Sequence, residues 1–339
     1  MSDLTIHQNH TVSLKFLAPD AVDAHLAQQR DRVVCLVCFG DARPPCLKAG
    51  MPVLWINTPV LGNEAIYEVW SSDKPVTSYD DDLIFGAGNE DIFFGCLSVP
   101  LDSSGNLSES AQRVYSEIFD FLQRGSYPNL LKVWNYFPNI TAVEAGSERY
   151  HSFCVGRHEA FVRHHRKVED SPSACVLGSH AGALVIYFLA SRSPGVQIEN
   201  PRQISAYKYP KQYGPRSPLF SRATLAFNGA SQTLFISGTA SIVGHVTVHP
   251  ESVILQTRES LANIRAVIDQ AGKEGFKFAG FDSGIALKVY VRHAEHLGVV
   301  RDIIGEELGA IRDMVVLQAD ICRADLLMEI EAVCWSRAD

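Results

Sequence analysis

Residues 233–244 (TLFISGTASIVG), 259–271 (ESLANIRAVIDQA) and 286–293 (ALKVYVRH) decide the fold, because the same order of patterns occurs earlier in the chain. Residues 91–100 (DIFFGCLSVP), 109–123 (ESAQRVYSEIFDFLQ) and 130–137 (LLKVWNYF) again read strand, helix, strand. The offset between copies is larger at Lys132 and Lys288 than at Gly95 and Gly238, a difference that loop insertion absorbs. Both helical pieces space their apolar residues by three and four: Val114, Ile118 and Leu122 in one, Leu261, Ile264, Val267 and Ile268 in the other. Their remaining faces are polar, as expected of helices laid on a sheet. The pattern predicts an α+β fold of mixed β-sheets backed by helices.

At roughly 150 residues per domain, 339 residues correspond to about two domains. We divide them as a divergent N-terminal α/β domain over 1–165 and a second domain over 166–339. Between the copies, residues 199–223 (ENPRQISAYKYPKQYGPRSPLFSRA) carry Pro201, Pro210, Pro215 and Pro218, which disfavour an uninterrupted helix or a central strand. The segment reads either as a packed interdomain linker or as an active-site loop. In the second reading Tyr207, Tyr209 and Tyr213 form an amphipathic wall while Arg216 or Arg222 meets an anion.

With 46% hydrophobic and 20% charged residues the chain is globular. Its 30 basic against 38 acidic residues, a net charge of −8, lack the basic excess of a phosphate-backbone binder, so nucleic acid is not an expected partner. A small anion can still bind an acidic protein through a local arginine cluster. Residues 173–190 (SACVLGSHAGALVIYFLA) approach the length of a membrane span. The GSHAG interruption divides them into two strand-like pieces, and no membrane association is expected. The opening MSDLTIHQNHTVSLKF shows neither a basic nor a continuous apolar leader region, which predicts a cytoplasmic protein. The eight cysteines are too sparse for a disulfide framework and are expected to be free thiols. Cys35, Cys38 and Cys46 superficially suggest a metal site. On a strand, however, the odd separation of Cys35 and Cys38 sends them to opposite faces, and no later pair completes tetrahedral spacing, so no metal is expected.

The C-terminal VVLQADICRADLLMEIEAVCW carries the clearest candidate chemistry. As a strand it puts Leu327, Glu329, Glu331 and Val333 on one face. Two carboxylates about 7 Å apart, once desolvated, raise one another's pKa and can keep one protonated for acid catalysis. The alternative is a solvated edge strand. Cys322, just before this strand, reads by itself as a structural thiol. In ERYHSFCVGRHEAFVRHHRK, Arg149 and Arg157 suit carboxylate recognition, with interdomain salt bridging as the alternative. The small residues Gly238 and Ala240 of SGTASIVGH allow close approach of a ring, or simply a strand bend. There is no nucleophile elbow, dinucleotide fingerprint or H-E-x-x-H motif.

Taken together, ERYHSFCVGR, ENPRQISAYKYPKQYGPRSP, SGTASIVGH, ALKVYVRH and ICRADLLMEIEAV resemble the chorismatase family over most of the chain. The C-terminal portion also resembles the RidA/YjgF-like, bacillus chorismate mutase-like fold. The resemblance implies a two-domain chorismatase architecture, chorismate as substrate, and cleavage of its enolpyruvyl ether to pyruvate with no cofactor and no metal. It assigns Glu329 as the acid that protonates the enolpyruvyl methylene carbon, and Glu331 as the residue that tunes its acidity or orients water. Arg149, Arg157, Tyr207, Tyr213, Arg216 and Arg292 become candidates to hold carboxylates or ring oxygens, with Arg157 and Arg292 ranked first. Ala240 and Cys322 become the positions that govern product choice. Cys322 favours aromatisation to 3-hydroxybenzoate, with 4-hydroxybenzoate as a further product in aromatic or pigment biosynthesis. Ala240 leaves weight on a hydrolysing branch that yields a dihydrodiol acid. A RidA-like enamine or imine deaminase and a noncatalytic small-anion-binding protein stand as alternative classes. A monomer is expected, with a trimer as the alternative.

Overall fold

The computed structural model describes residues 11–41, 51–63, 65–81, 83–101, 106–144, 146–228 and 231–337. Cys46 and residues 1–10 of the opening stretch lie outside them. The first sheet is built from β1 (Val12–Leu17), β2 (Val33–Gly40), β3 (Val53–Ile56) and β4 (Ala65–Ser72), with α1 (Pro19–Gln29) between β1 and β2. Its spatial order is β1-β4-β2-β3, and β2 and β3 are parallel.

The second sheet holds β5 (Thr77–Asp80), β6 (Phe85–Gly88), β7 (Ile92–Val99) and, after α2 (Leu107–Arg124), β8 (Asn129–Pro138). A small hairpin, β9 (Val143–Glu144) with β10 (Ser147–Glu148), leads into α3 (Arg149–Arg163), and β11 (Ser173–Ser179) and β12 (Leu184–Ser191) complete the sheet. Its order is β5-β6-β7-β12-β8-β11. The third sheet takes β13 (Val196–Ile198), β14 (Ala223–Asn228) and β15 (Ser231–Thr239). The hairpin of β16 (Ile242–Val243) and β17 (Val246–Thr247), then α4 (Val253–Lys273), β18 (Ile285–Val291), α5 (Leu297–Leu308), β19 (Asp313–Gln318) and β20 (Met328–Trp335) follow. Its order, β13-β14-β15-β20-β18-β19, is that of the second sheet element for element. In both, the last strand inserts antiparallel between a meander and a parallel pair that is joined through a helix.

The strand-helix-strand repeat seen in the sequence is therefore a repeat of topology. The first sheet carries the same four-strand order a third time, which the sequence reading did not detect. Its helix α1 buries only Val22 and Leu26, too few to show the periodicity of α2 and α4. The division expected at 165 is also displaced: β11 and β12 lie beyond it, yet they pair with β8. The boundary between the two large sheets falls between Ser191 and Val196. Residues 173–190 are these two sheet strands, and among the described residues no helix is long and apolar enough to cross a membrane.

Local sequence explains the helices. Asn106 caps α2 by accepting from the Ser108 amide, and α2 buries Leu107, Val114, Ile118, Phe119 and Leu122, each contributing about 1.5–3 kcal/mol. Gly156 lets α3 press against α2, because a Cβ there would stand 1.9 Å from the Ser108 carbonyl oxygen. Helices cover the outer faces, while the inner faces of all three sheets meet in one core of Phe39, Trp70, Phe94, Trp134, Tyr187, Phe235, Tyr290 and Trp335. The sheets also touch at their margins, through bridges Ser173–Ser221, Gly178–Asp320 and Val60–Leu317. Cys35 lies 3.5 Å from Cys96 in this core, whereas Cys38 donates to the Phe39 carbonyl.

Candidate active site

Where β11 of the second sheet meets β15 and β20 of the third, a cavity of about 180 Å³ opens. Its walls are Ala174, Cys175 and Val176 of β11, Gly238 and Ala240 at the end of β15, and Glu329 of β20. The connection before β20 adds Cys322, Arg323 and Leu326, and the start of α3 adds Tyr150 and His151. The proline-rich segment supplies Gln203, Tyr209, Gln212, Tyr213, Phe220 and Arg222, so it is a cavity wall.

β20 is a buried central strand between β15 and β18, not an edge strand. Alternation places Glu329 and Glu331 on its inner face as expected, but their surroundings differ. Glu329 lies on the cavity, where burial, together with the charge of Glu331 and against that of Lys132, pushes its pKa up to about 8. Room for its carboxyl comes from a bulge in β15 between Ile236 and Thr239. A Cβ on Gly238 would stand 1.9 Å from Glu329 Oε1. Glu331 is absent from the cavity wall and sits behind it among Lys132 at 3.2 Å and Lys288 at 2.7 Å. It accepts hydrogen bonds from Trp134 Nε1 at 2.7 Å, the Cys175 thiol at 2.8 Å and the Tyr290 hydroxyl at 2.8 Å. Burial alone would raise its pKa, but the two ammonium groups and the Cys175 thiol outweigh that and bring it down to about 2. The strand thus presents one carboxylic acid and one carboxylate near neutral pH, a separation suited to acid catalysis.

Two guanidinium groups reach the cavity. Arg222 is 5% exposed, donates through Nη2 to the Tyr209 hydroxyl (2.9 Å) and the Ile204 carbonyl (2.7 Å), and keeps a buried Nε without a partner. Arg323 stacks on Tyr213 with its guanidinium carbon 4.0 Å from the ring centroid, and donates to the His245 carbonyl at 3.0 Å. Tyr213 is held from the other side by its hydroxyl contact with His245 Nδ1 at 3.2 Å. Cys322 is a thiol with no anionic character, because burial and the neighbouring Glu329 push its pKa up to about 12.

Of the residues singled out from the sequence, Glu329, Cys322, Tyr213 and Ala240 line the cavity, and Arg149, Arg157, Tyr207, Arg216 and Arg292 do not. Arg149 pairs with Glu144 and donates to the Pro138 carbonyl. Arg157 is buried between α2 and α3, its guanidinium carbon 4.7 Å from the Tyr115 ring centroid. Tyr207 packs on the core under α2 and α3, and Arg216 is exposed. Arg292 pairs with Asp320 at 2.5 Å and donates to the carbonyls of Leu326, Ile321 and Arg323. It therefore anchors the connection that carries Cys322 and Arg323. Of the cavity arginines, Arg222 was one of two anion-binding alternatives in the proline-rich segment. Arg323 was missed, and its only sequence signal is its place beside Cys322.

One buried acid and two arginines thus share a single cavity between the repeated sheets. Residues 68–190 match the family model described as "Chorismatase FkbO/Hyg5-like, N-terminal". Over 298 residues the chain is 39% identical to a 3-hydroxybenzoate synthase of Streptomyces hygroscopicus, covering 85% of this chain and 87% of that protein. It is 40% identical over 297 residues to a chorismatase of Streptomyces rapamycinicus, again covering 85% and 87%. A crystal structure of a chorismatase matches with a TM-score of 0.87 at 33% identity, covering 96% of this chain and 98% of that one. The chain belongs to the chorismatase family.

Proposed function

We propose that this cavity binds chorismate and cleaves its enolpyruvyl ether, giving pyruvate and 3-hydroxybenzoate, with 4-hydroxybenzoate as a second product. The observation that carries the reading is Glu329: a carboxyl group kept protonated at neutral pH on the wall of a cavity that also holds Arg222 and Arg323. A dianion with two carboxylates matches two guanidinium groups, each able to donate paired charge-assisted hydrogen bonds. Glu329 donates its proton to the enolpyruvyl methylene carbon, which leaves an oxocarbenium-like centre open to a ring hydroxyl or to water. Attack by the ring hydroxyl is completed as the bond between the ring carbon and the ether oxygen breaks, its electron pair staying on the oxygen that becomes the pyruvate carbonyl. The Glu329 carboxylate takes back a ring proton as the ring aromatises. Intramolecular attack consumes no water, and its products account for every atom of chorismate. Hydrolysis adds one water and leaves a dihydroxycyclohexadienoate. Cys322 and Ala240, both on the cavity wall, are the side chains that set this choice.

Incubation with chorismate tests the reading. Release of pyruvate with hydroxybenzoate is expected. A dihydrodiol acid as sole ring product overturns the product assignment, absence of pyruvate overturns the reaction class, and ammonia released from an enamine substrate favours a RidA-like deaminase.

The repeated topology supports three structural units, 12–72, 77–191 and 196–335, of which the third is the RidA/YjgF-like one. Three copies of one four-strand core within one chain replace a trimer's subunits, so light scattering is expected to report a monomer of 37.3 kDa. Free thiols at all seven described cysteines suit a reducing, cytoplasmic compartment.

A further inference from the structure

The two repeats each place a lysine at the same point of the same strand, Lys132 in LLKV of β8 and Lys288 in ALKV of β18, and both are buried. Burying an ammonium group is costly unless partners surround it, so a buried lysine pair calls for a reason. Lys288 lies between Glu68 at 2.6 Å and Glu331 at 2.7 Å and meets the Tyr187 hydroxyl at 3.0 Å. None of these partners lines the cavity.

Lys132 differs. It reaches from the second sheet into the third and donates to the Ile236 carbonyl at 2.8 Å, on the residue where the β15 bulge begins. That bulge contains Gly238, whose missing Cβ leaves the Glu329 carboxyl its room. Lys132 also contacts the Cys175 thiol at 3.2 Å and the Glu331 carboxylate at 3.2 Å. Cys175 is a cavity residue that donates to the same Glu331 oxygen at 2.8 Å.

We infer that Lys132 is a positioning residue for the reaction: it holds the strand bulge that seats the Glu329 carboxyl and balances the charge of the Glu331 carboxylate behind it. The inference rests on Glu329 being the acid. Its counterpart Lys288 also balances Glu331, but its polar partners Glu68, Glu331 and Tyr187 include neither the bulge nor a cavity residue. The titratable and charged groups around Glu329 are Glu331 on its own strand, Lys132 on β8, Cys175 on β11 and Tyr290 opposite it on β18. Cys322 and Arg323 before β20, and Arg222, Tyr209, Tyr213, Glu148, Tyr150 and His151 around the cavity, complete the set among the described residues.

The test measures kcat and KM for chorismate across pH in Lys132→Gln, Lys132→Met, Lys288→Met, Glu331→Gln and Glu329→Gln. Loss of the Lys132 cation is expected to move the alkaline limb of kcat/KM upward by about one pH unit. Lys132→Met is expected to lower kcat about tenfold or more with KM within about threefold, since a displaced acid slows chemistry more than binding. Lys132→Gln, whose amide can still donate to the Ile236 carbonyl, loses less kcat for the same limb shift. Glu331→Gln moves the limb downward, and Lys288→Met, which leaves the bulge contact intact and takes a cation from Glu331, does not move it upward. If the Lys132 variants do not fold, as judged by circular dichroism and melting, Glu331→Gln decides alone: an unmoved limb overturns the inference. An unmoved limb in folded Lys132 variants, or an equal shift in Lys288→Met, also overturns it. An active Glu329→Gln refutes the acid assignment itself, whereas an inactive one with unmoved limbs elsewhere refutes only the role of Lys132.

Discussion

The Oε1 atom of Glu329 lies 1.9 Å from where a β-carbon on Gly238 would sit, so the carboxyl and the absent side chain compete for one volume. The two residues belong to neighbouring antiparallel strands, β20 and β15, whose register slips between Ile236 and Thr239. The glycine and the bulge together let a buried acid turn toward the cavity without meeting the adjacent backbone.

Gly238→Ala is therefore expected to displace the acid. A shift of about 1 Å at a reacting group costs on the order of 100-fold in rate. The overpacked strand loses about 1–3 kcal/mol of stability. Steady-state kinetics with a melting curve checks both, and wild-type turnover in the variant would contradict the geometry.

The acid must carry its proton to act, so kcat/KM for chorismate is expected to fall as pH rises through the Glu329 pKa of about 8. A profile flat to pH values well above this would place the acid elsewhere.

The same proton sets a stability difference. The Glu329 pKa is raised, so the native protein keeps a proton that the unfolded chain releases between its ordinary value of 4.5 and about 8. Stability is therefore lost as pH rises through that window, by an amount on the order of 3–5 kcal/mol above it. Glu329→Gln is expected to lower turnover by about 10²–10⁴. It also raises Tm relative to wild type, by a margin that widens from about pH 5 to about pH 8. A margin independent of pH would mean that the carboxyl is not held neutral.

Arginine substitutions separate the cavity from its surroundings. Arg222→Ala and Arg323→Ala each remove a charged donor from the cavity, and the loss of about 1.5–3 kcal/mol corresponds to a roughly 10- to 100-fold rise in KM. Arg216→Ala, at an exposed position outside the cavity, is expected to change KM less than about threefold.

Arg292→Ala is expected to act through the fold, since its guanidinium serves Asp320 and three backbone carbonyls of the connection before β20. A drop in Tm should accompany any kinetic change. Loss of chorismate affinity at unaltered Tm would instead make it a direct ligand.

Short-range pattern was legible where it is strong. The spacing of Val114, Ile118 and Leu122 announced α2, and the alternation in LMEIEAVC put Glu329 and Glu331 on one face. The divided apolar stretch at 173–190 became the strands β11 and β12. The third copy of the topology was not legible, because α1 buries too few residues to mark a period. The segment 199–223 could be read as linker or loop, because prolines fix local backbone without saying what the side chains will face.

By itself the sequence determined the repeat of elements, the shared face of the two glutamates, and a family resemblance that pointed to Cys322 and Ala240. The tertiary structure alone decided which arginines share the cavity and which of the two glutamates keeps its proton. Glu331 is ionised because Lys288 stands beside it on the next strand and Lys132 arrives from another sheet, nearly two hundred residues away in the chain. Glu329, two residues along the same strand, stays protonated because it is buried beside that charge. Periodicity is set by neighbours in the chain and survives in the sequence, whereas a pKa is set by desolvation and by charges that only long-range strand pairing brings into range.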